Sequence, residues 1–277
     1  MEIDRDIAEM ITSASNKKVK NVMLLLAKSK ERKRQKLFVA EGVKMFLEAP
    51  EESVREIYFS EEFGKEQEEY TEVFQKISRV CRNNGIKAEC VKADIFRKMS
   101  DTRTPQGVLC LIEAPCYELE NILNADKGLY LVLEDIQDPG NLGTMIRAGE
   151  GAGISGVIMS SHTADIFNPK TVRATMGSIY RIPFIYEENL EACIRTMKEK
   201  GIRVYASHLK GKASYDKEDY HGATAFLIGN EGNGLSAQIA DLADSYLRIP
   251  MLGKVESLNA AIAATLLVYE AARQRRD

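Results

Sequence analysis

From Leu129 onward the chain repeats one pattern, a short apolar run followed by a stretch with helical spacing. The runs are LYLVLE (129–134), GVIMS (156–160), IPFIY (182–186), IRVYAS (202–207), TAFLIG (224–229) and SYLRIP (245–250). MIRAGEGAG, LEACIRTMKEK and a long stretch from Ser257 to Arg275 fill the gaps. Continuously apolar strands separated by helices belong in a mostly parallel sheet covered on both faces. The pattern predicts an α/β architecture, and ligands of such sheets sit outside the carboxyl ends of the strands. AAIAATLLVYEAA (260–272) is apolar almost all round, as a helix buried on two sides is.

A less regular alternation precedes it. Between Asn16 and Ala27 the residues Val19, Val22, Met23 and Leu26 recur at helical spacing, which predicts an amphipathic helix with a basic face. KLFVAEG, REIYFS, IKAECV and QGVLCLIE then alternate with the helix-like VKMFLEA and EYTEVFQKISRVCRN. The expected organisation is a smaller α/β domain over 1–113, a connection over 114–127 and a second domain over 128–277.

Charge adds a partner class. The net charge is only −3, yet residues 17–36 hold nine Lys and Arg against one Glu, and residues 48–72 hold ten Glu. That separation leaves room for a polyanion-binding face, against the plainer alternative of a solvated helix. Cys81, Cys90, Cys110, Cys116 and Cys193 are scattered without a C-x-x-C, and His162, His208 and His221 lack ligand spacing. A reducing compartment is expected, with no metal site. The acidic start MEIDRDIAEM has no apolar core, and no run approaches the ~20 apolar residues of a membrane span. These features predict a cytoplasmic protein with no membrane partner.

FLIGNEGNGLSA (226–237) contains G-N-G-L-S-A, which fits the G-x-G-x-x-G/A turn of dinucleotide sites. The position argues against that reading, because such a turn opens the first βαβ unit and here only one further strand and helix follow. No phosphate-binding G-x-x-x-x-G-K-[ST] occurs. Glu231, set among the glycines, favours a cationic or hydroxyl-bearing ligand over a pyrophosphate. Two other strand ends carry polar clusters. Asn141 and Arg147 follow LYLVLE, with Pro139 and Gly140 read as a turn, and Ser257 and Asn259 follow SYLRIP. Asn141, Glu256 and Ser257 are each also good helix starters. Arg147 resists a capping role, since a cation in a helix's second turn opposes the dipole, and its ordinary alternative is an ion pair with Glu134 or Asp135.

N-L-G-T-M-I-R-A (141–148), I-G-N-E-G-N-G-L (228–235) and I-P-M-L-G-K-V-E-S-L-N (249–259) together resemble the motifs of the SpoU/TrmH branch of SPOUT RNA methyltransferases. SNKKVKNVMLLL and FVAEGVKMF resemble the L30e-like substrate-binding domain joined to many family members that modify ribosomal RNA. The resemblance implies S-adenosylmethionine-dependent methylation of a ribose 2′-hydroxyl, most naturally in 23S ribosomal RNA. It also implies a trefoil knot in the second domain and a homodimer.

The same resemblance assigns roles. Arg147 is the catalytic arginine, Asn141 orients it, and Glu231 either orients it or bonds the substrate ribose. Gly229, Asn230, Gly232, Ile249, Met251, Ser257 and Leu258 hold the cofactor, and Asn259 serves both cofactor and catalysis. Lys17, Lys18 and Lys20, with Arg147, contact RNA. A guanidinium stays protonated in proteins, so stabilisation of an alkoxide suits Arg147 better than base catalysis. A tRNA ribose methyltransferase, a non-catalytic RNA-binding relative and a dehydrogenase remain the competing readings.

Overall fold

The computed structural model describes residues 7–64, 70–208, 211 and 213–276, and the chain divides into two compact units. The first comprises residues 1–115 and 167–180, and the second residues 116–166 and 181–277. The segment 167–180 packs with the first unit.

In the first unit, β1 (Leu37–Glu41), β2 (Val54–Ser60), β3 (Ala88–Val91) and β4 (Val108–Glu113) form one sheet in the order β1-β4-β2-β3. Of the neighbouring pairs among these strands only β2–β3 is parallel, and β4 runs antiparallel to β1 and to β2. Helix α1 (Lys17–Ala27) is capped by Asn16, whose side chain accepts from the Lys18 amide. Val19, Val22 and Leu25 are its buried residues, and they join Val39, Tyr58, Leu109 and Leu111 in the core. Met23, expected on that face, is 42% exposed, and Leu25 occupies the buried position instead. Helices α2 (Ser29–Gln35), α3 (Val43–Glu48), α4 (Thr71–Asn84) and α5 (Ala93–Lys98) complete this part of the unit. Arg32 on α2 is buried and donates to the carbonyls of Leu25 and Leu26, satisfying the free carboxyl end of α1. Within 167–180, Phe167 stacks on Phe38 of β1 at 4.7 Å, and the Tyr180 hydroxyl donates to the Met45 carbonyl at 3.0 Å.

The second unit opens with α6 (Leu119–Ile122) and is built on seven strands. These are β5 (Leu129–Leu133), β6 (Gly156–Ser160), β7 (Phe184–Glu187), β8 (Arg203–Ser207), β9 (Ala213–Ser214), β10 (Thr224–Ile228) and β11 (Ser245–Arg248). Their order is β7-β6-β5-β10-β8-β11-β9, and every pairing is parallel. β5, β6 and β10 are buried at every residue, because helices cover both faces of the sheet. Tyr130, Val132, Ala225 and Leu227 pack on Leu190, Ile194 and Met197 of α9 (Leu190–Glu199). Tyr205, Tyr220 and Phe226 form an aromatic cluster with ring centroids 5.2–6.0 Å apart. α7 (Pro139–Gly151) packs against α11 (Ala260–Gln274), which also touches β5 and β10. The short α10 (Ala237–Ala240) follows the glycine loop, and α8 (Pro169–Thr175) belongs to the first unit. No described helix is long and apolar enough to cross a membrane.

Candidate active site

Three chain segments meet at the carboxyl ends of β10, β8 and β11. Beyond β10 the chain turns back sharply, the Asn230 carbonyl accepting from the Gly234 amide at 2.9 Å. A Cβ on Gly229 would lie 2.1 Å from backbone atoms of Gly234 and Leu235, so only glycine lets the two limbs close. The Asn230 side chain accepts from the amides of Gly232 and Asn233 and donates to the Asp135 carbonyl at 2.8 Å. Glu134 anchors the far limb by accepting from the amide and hydroxyl of Ser236.

Glu231 ties this loop to the start of α7. Its carboxylate accepts from the amides of Gln137 and Asp138 and from the Asn141 side chain, each at 3.0 Å. The Asn141 oxygen accepts in turn from the Asn259 side chain at 3.0 Å. Asn259 caps α11 by accepting from the amides of Ala261 and Ile262. Loops distant in sequence are therefore joined in one hydrogen-bonded chain. Burial raises the Glu231 carboxyl, but the bonds from Asn141, Gln137 and Asp138 outweigh it and hold the group below its ordinary value.

Several local expectations shift. Asp138, not Asn141, caps α7, and Pro139 takes the first helical position, where its missing N–H costs nothing. Arg147 accordingly sits in the third turn. It is exposed, and among the described residues it makes neither the expected ion pair with Glu134 or Asp135 nor a bond to Asn141 or Glu231. The last helix begins at Ala260, so Glu256 and Ser257 lie in an irregular segment before it rather than in its first turn.

These segments enclose a cavity of about 320 Å³. The glycine loop from Ile228 to Leu235, with Gly229, Asn230, Glu231 and Gly232, forms one wall. Ile249, Met251, Ser257 and Leu258 also line the cavity. Asn141, Arg147 and Asn259 do not line it. Ser207 and His208, at the end of β8, do. The His208 ring packs beside Tyr246 at 5.1 Å, and its amide donates to the Leu247 carbonyl at 3.0 Å. Sequence reasoning missed this pair, although the rule that sends ligands to carboxyl ends of strands applied equally to IRVYAS. Among the described residues no group of His, Cys, Asp and Glu is placed to hold a metal ion.

The all-parallel sheet and a mainly apolar cavity with convergent polar groups at its strand ends define the class, an α/β protein with a candidate small-molecule site. The SpoU rRNA Methylase family matches residues 128–269, and the MRM3-like substrate binding domain matches residues 16–110. The chain is 35% identical to the 23S rRNA (guanosine(2553)-2′-O)-methyltransferase RlmP of Bacillus subtilis, over 94% of this chain and 98% of that one. The AdoMet-bound rRNA methyltransferase of Sinorhizobium meliloti superimposes with a TM-score of 0.85 at 31% identity, covering 97% and 98% of the two chains. The SpoU methyltransferase AviRb of Streptomyces viridochromogenes, in complex with AdoMet, gives 0.80 at 27% identity over 94% and 99%. The chain belongs to the SpoU rRNA methylase family.

Proposed function

We propose that this protein transfers a methyl group from S-adenosylmethionine to a ribose 2′-hydroxyl of 23S ribosomal RNA. The observation that carries the reading is the cavity formed by the glycine loop and the 249–258 segment, in a chain related along almost its whole length to RlmP. The residues present fit the donor. Ile228, Leu235, Leu247 and Leu258 offer apolar walls for an adenine ring, and Gly229 and Gly234 bring backbone polar groups to the surface. When bound, S-adenosylmethionine supplies a sulfonium methyl as the electrophile.

The chain's own task is to hold a ribose oxygen in line and to stabilise negative charge on it. We assign that charge stabilisation to Arg147, whose guanidinium also suits a substrate phosphate. Its lack of a partner among the described residues leaves its donors available to RNA. Asn141, Glu231 and Asn259 are positioning residues that fix the start of α7, the helix carrying Arg147. Glu231 already accepts three N–H groups and is held ionised, which makes it a poor proton acceptor.

The first unit supplies the RNA-binding face. Lys17, Lys18 and Lys20 on α1 are exposed, as are Lys28, Lys30, Lys33, Arg34 and Lys36 around α2. Lys18 pairs with Glu89 and Arg34 with Glu31, so Lys17 and Lys20 are the freer charges of α1. A second copy of the chain would cover α11, where Ile262 is 51% and Tyr269 41% exposed. We assign to 249–259 the threaded course of a trefoil knot, supported by the bond from Asn259 back to Asn141. A ribosomal RNA substrate places the protein in the cytoplasm.

Calorimetric titration separates this reading from a dehydrogenase. S-adenosylmethionine is expected to bind and NAD is not, and Gly229→Ala is expected to abolish the binding. Saturable NAD binding without S-adenosylmethionine binding would overturn the assignment.

A further inference from the structure

The first unit contains a cavity of about 710 Å³ that the methyl-transfer site does not use. Phe63 and Tyr70 stand on one side with ring centroids 4.5 Å apart, and Phe96 and Ala93 line its interior. Arg97 and Arg103 border it. Arg97 lies 3.9 Å from Glu62, which also lines the cavity, whereas exposed Arg103 has no partner among the described residues. Ser60 is buried at 7% exposure; its hydroxyl oxygen accepts from the Glu62 amide, and no acceptor for its own hydrogen is seen among the described residues.

The loop presenting Arg103 is built by polar groups rather than by core packing. Buried Glu41 accepts from the Asp101 amide at 2.8 Å and from the Thr102 hydroxyl. Asp101 pairs with Arg173, and the Gln106 side chain accepts from the Val43 amide at 2.9 Å. Gly107 closes the loop at φ +85°, where a Cβ would meet the Phe63 ring at 2.9 Å. A buried carboxylate satisfied by the Asp101 amide and the Thr102 hydroxyl thus fixes a solvent-facing loop beside an aromatic pair and an exposed cation, and rigidly held loops are where binding residues concentrate.

We infer that this cavity holds one unstacked nucleotide of the substrate RNA, apart from the nucleotide that is methylated. An aromatic face, a cation and a hydroxyl are what a base, a phosphate and a base edge require, and sequence-specific RNA recognition takes splayed single-stranded nucleotides. The inference rests on the RNA-methyltransferase reading above and adds a second point of contact to it.

The test measures RNA binding and turnover of the full-length protein on a 23S rRNA fragment, with S-adenosylmethionine titration and thermal melting as checks on folding. Tyr70→Ala raises Kd and KM for RNA about tenfold, the scale of one lost base stack, while Tyr70→Phe stays near wild type. Arg103→Ala weakens binding several-fold and flattens the salt slope by about 0.7. In both variants kcat is retained at saturating RNA. Folded Tyr70→Ala and Arg103→Ala proteins that bind RNA like wild type would overturn the inference. Adenosine or guanosine monophosphate that binds wild type but not the variants, with RNA affinity unmoved, would make this a free-nucleotide site and overturn the RNA source. A wild-type protein that binds RNA but transfers no methyl group would instead count against the underlying reading.

Discussion

Arg147 and Glu231 look alike in sequence, each a charged residue beside a strand end, and the structure gives them opposite circumstances. Glu231 is fully engaged by N–H donors, while Arg147 stands exposed without a partner among the described residues. Arg147→Ala is expected to lower kcat by 10²-fold or more, the scale of a lost anion-stabilising donor, and to leave S-adenosylmethionine binding intact. Single-turnover methyl transfer checks this, and near-normal turnover would remove Arg147 from the chemistry. For Glu231 the folded pKa lies below the ordinary carboxylate value, so its contribution is present at neutral pH and lost as pH falls through the folded pKa. Wild-type cofactor binding should therefore hold at neutral pH and weaken only in acid, as pH falls below the ordinary carboxylate range. Glu231→Gln should show weaker binding at pH 7, with that acid limb absent. A titration of S-adenosylmethionine affinity against pH reads both effects. What the sequence could not reveal was the partner list, because Glu231 reaches Gln137, Asp138 and Asn141 across 90 or more residues of chain.

The strands that place the site were legible because burial on both faces leaves unbroken apolar runs, as in β5, β6 and β10. The two-residue β9 was not, since Ala213–Ser214 is too short to show a pattern. α1 was found but rotated. Met23 and Leu25 are both apolar, and spacing alone cannot say which one meets the sheet. Leu25→Ala should cost about 2–5 kcal/mol in denaturant unfolding, and Met23→Ala should stay within about 0.5 kcal/mol. Equal costs would contradict the packing described for α1. The start of α7 was read as a turn because Asp-Pro-Gly suits both structures. The Asp138 side chain decides it by capping the Asn141 amide at 2.8 Å. α11 starts at Ala260 for the same reason, with Asn259 rather than Glu256 or Ser257 as its cap.

At the scale of the molecule, the chain forms two compact units, and 167–180 packs with the first. Its place depends on contacts such as Phe167 on Phe38 and Arg173 with Asp101, which join positions far apart in the chain. The near-zero net charge likewise conceals the basic face of α1 and α2. Replacing Lys17, Lys18 and Lys20 together by Ala should weaken RNA binding and lower the salt slope by less than three phosphate contacts' worth, because Lys18 is already paired with Glu89. An unchanged slope would return these lysines to a solvated face. The whole account turns on one reaction, and the decisive measurement is transfer of labelled methyl from S-adenosylmethionine to 23S ribosomal RNA by the purified protein, with the product mapped by nucleotide. The account predicts label on a ribose 2′-oxygen at a single site in 23S RNA, transferred at least about 10²-fold more slowly by Arg147→Ala. Label on a base, label confined to tRNA, or equal transfer by Arg147→Ala would contradict it.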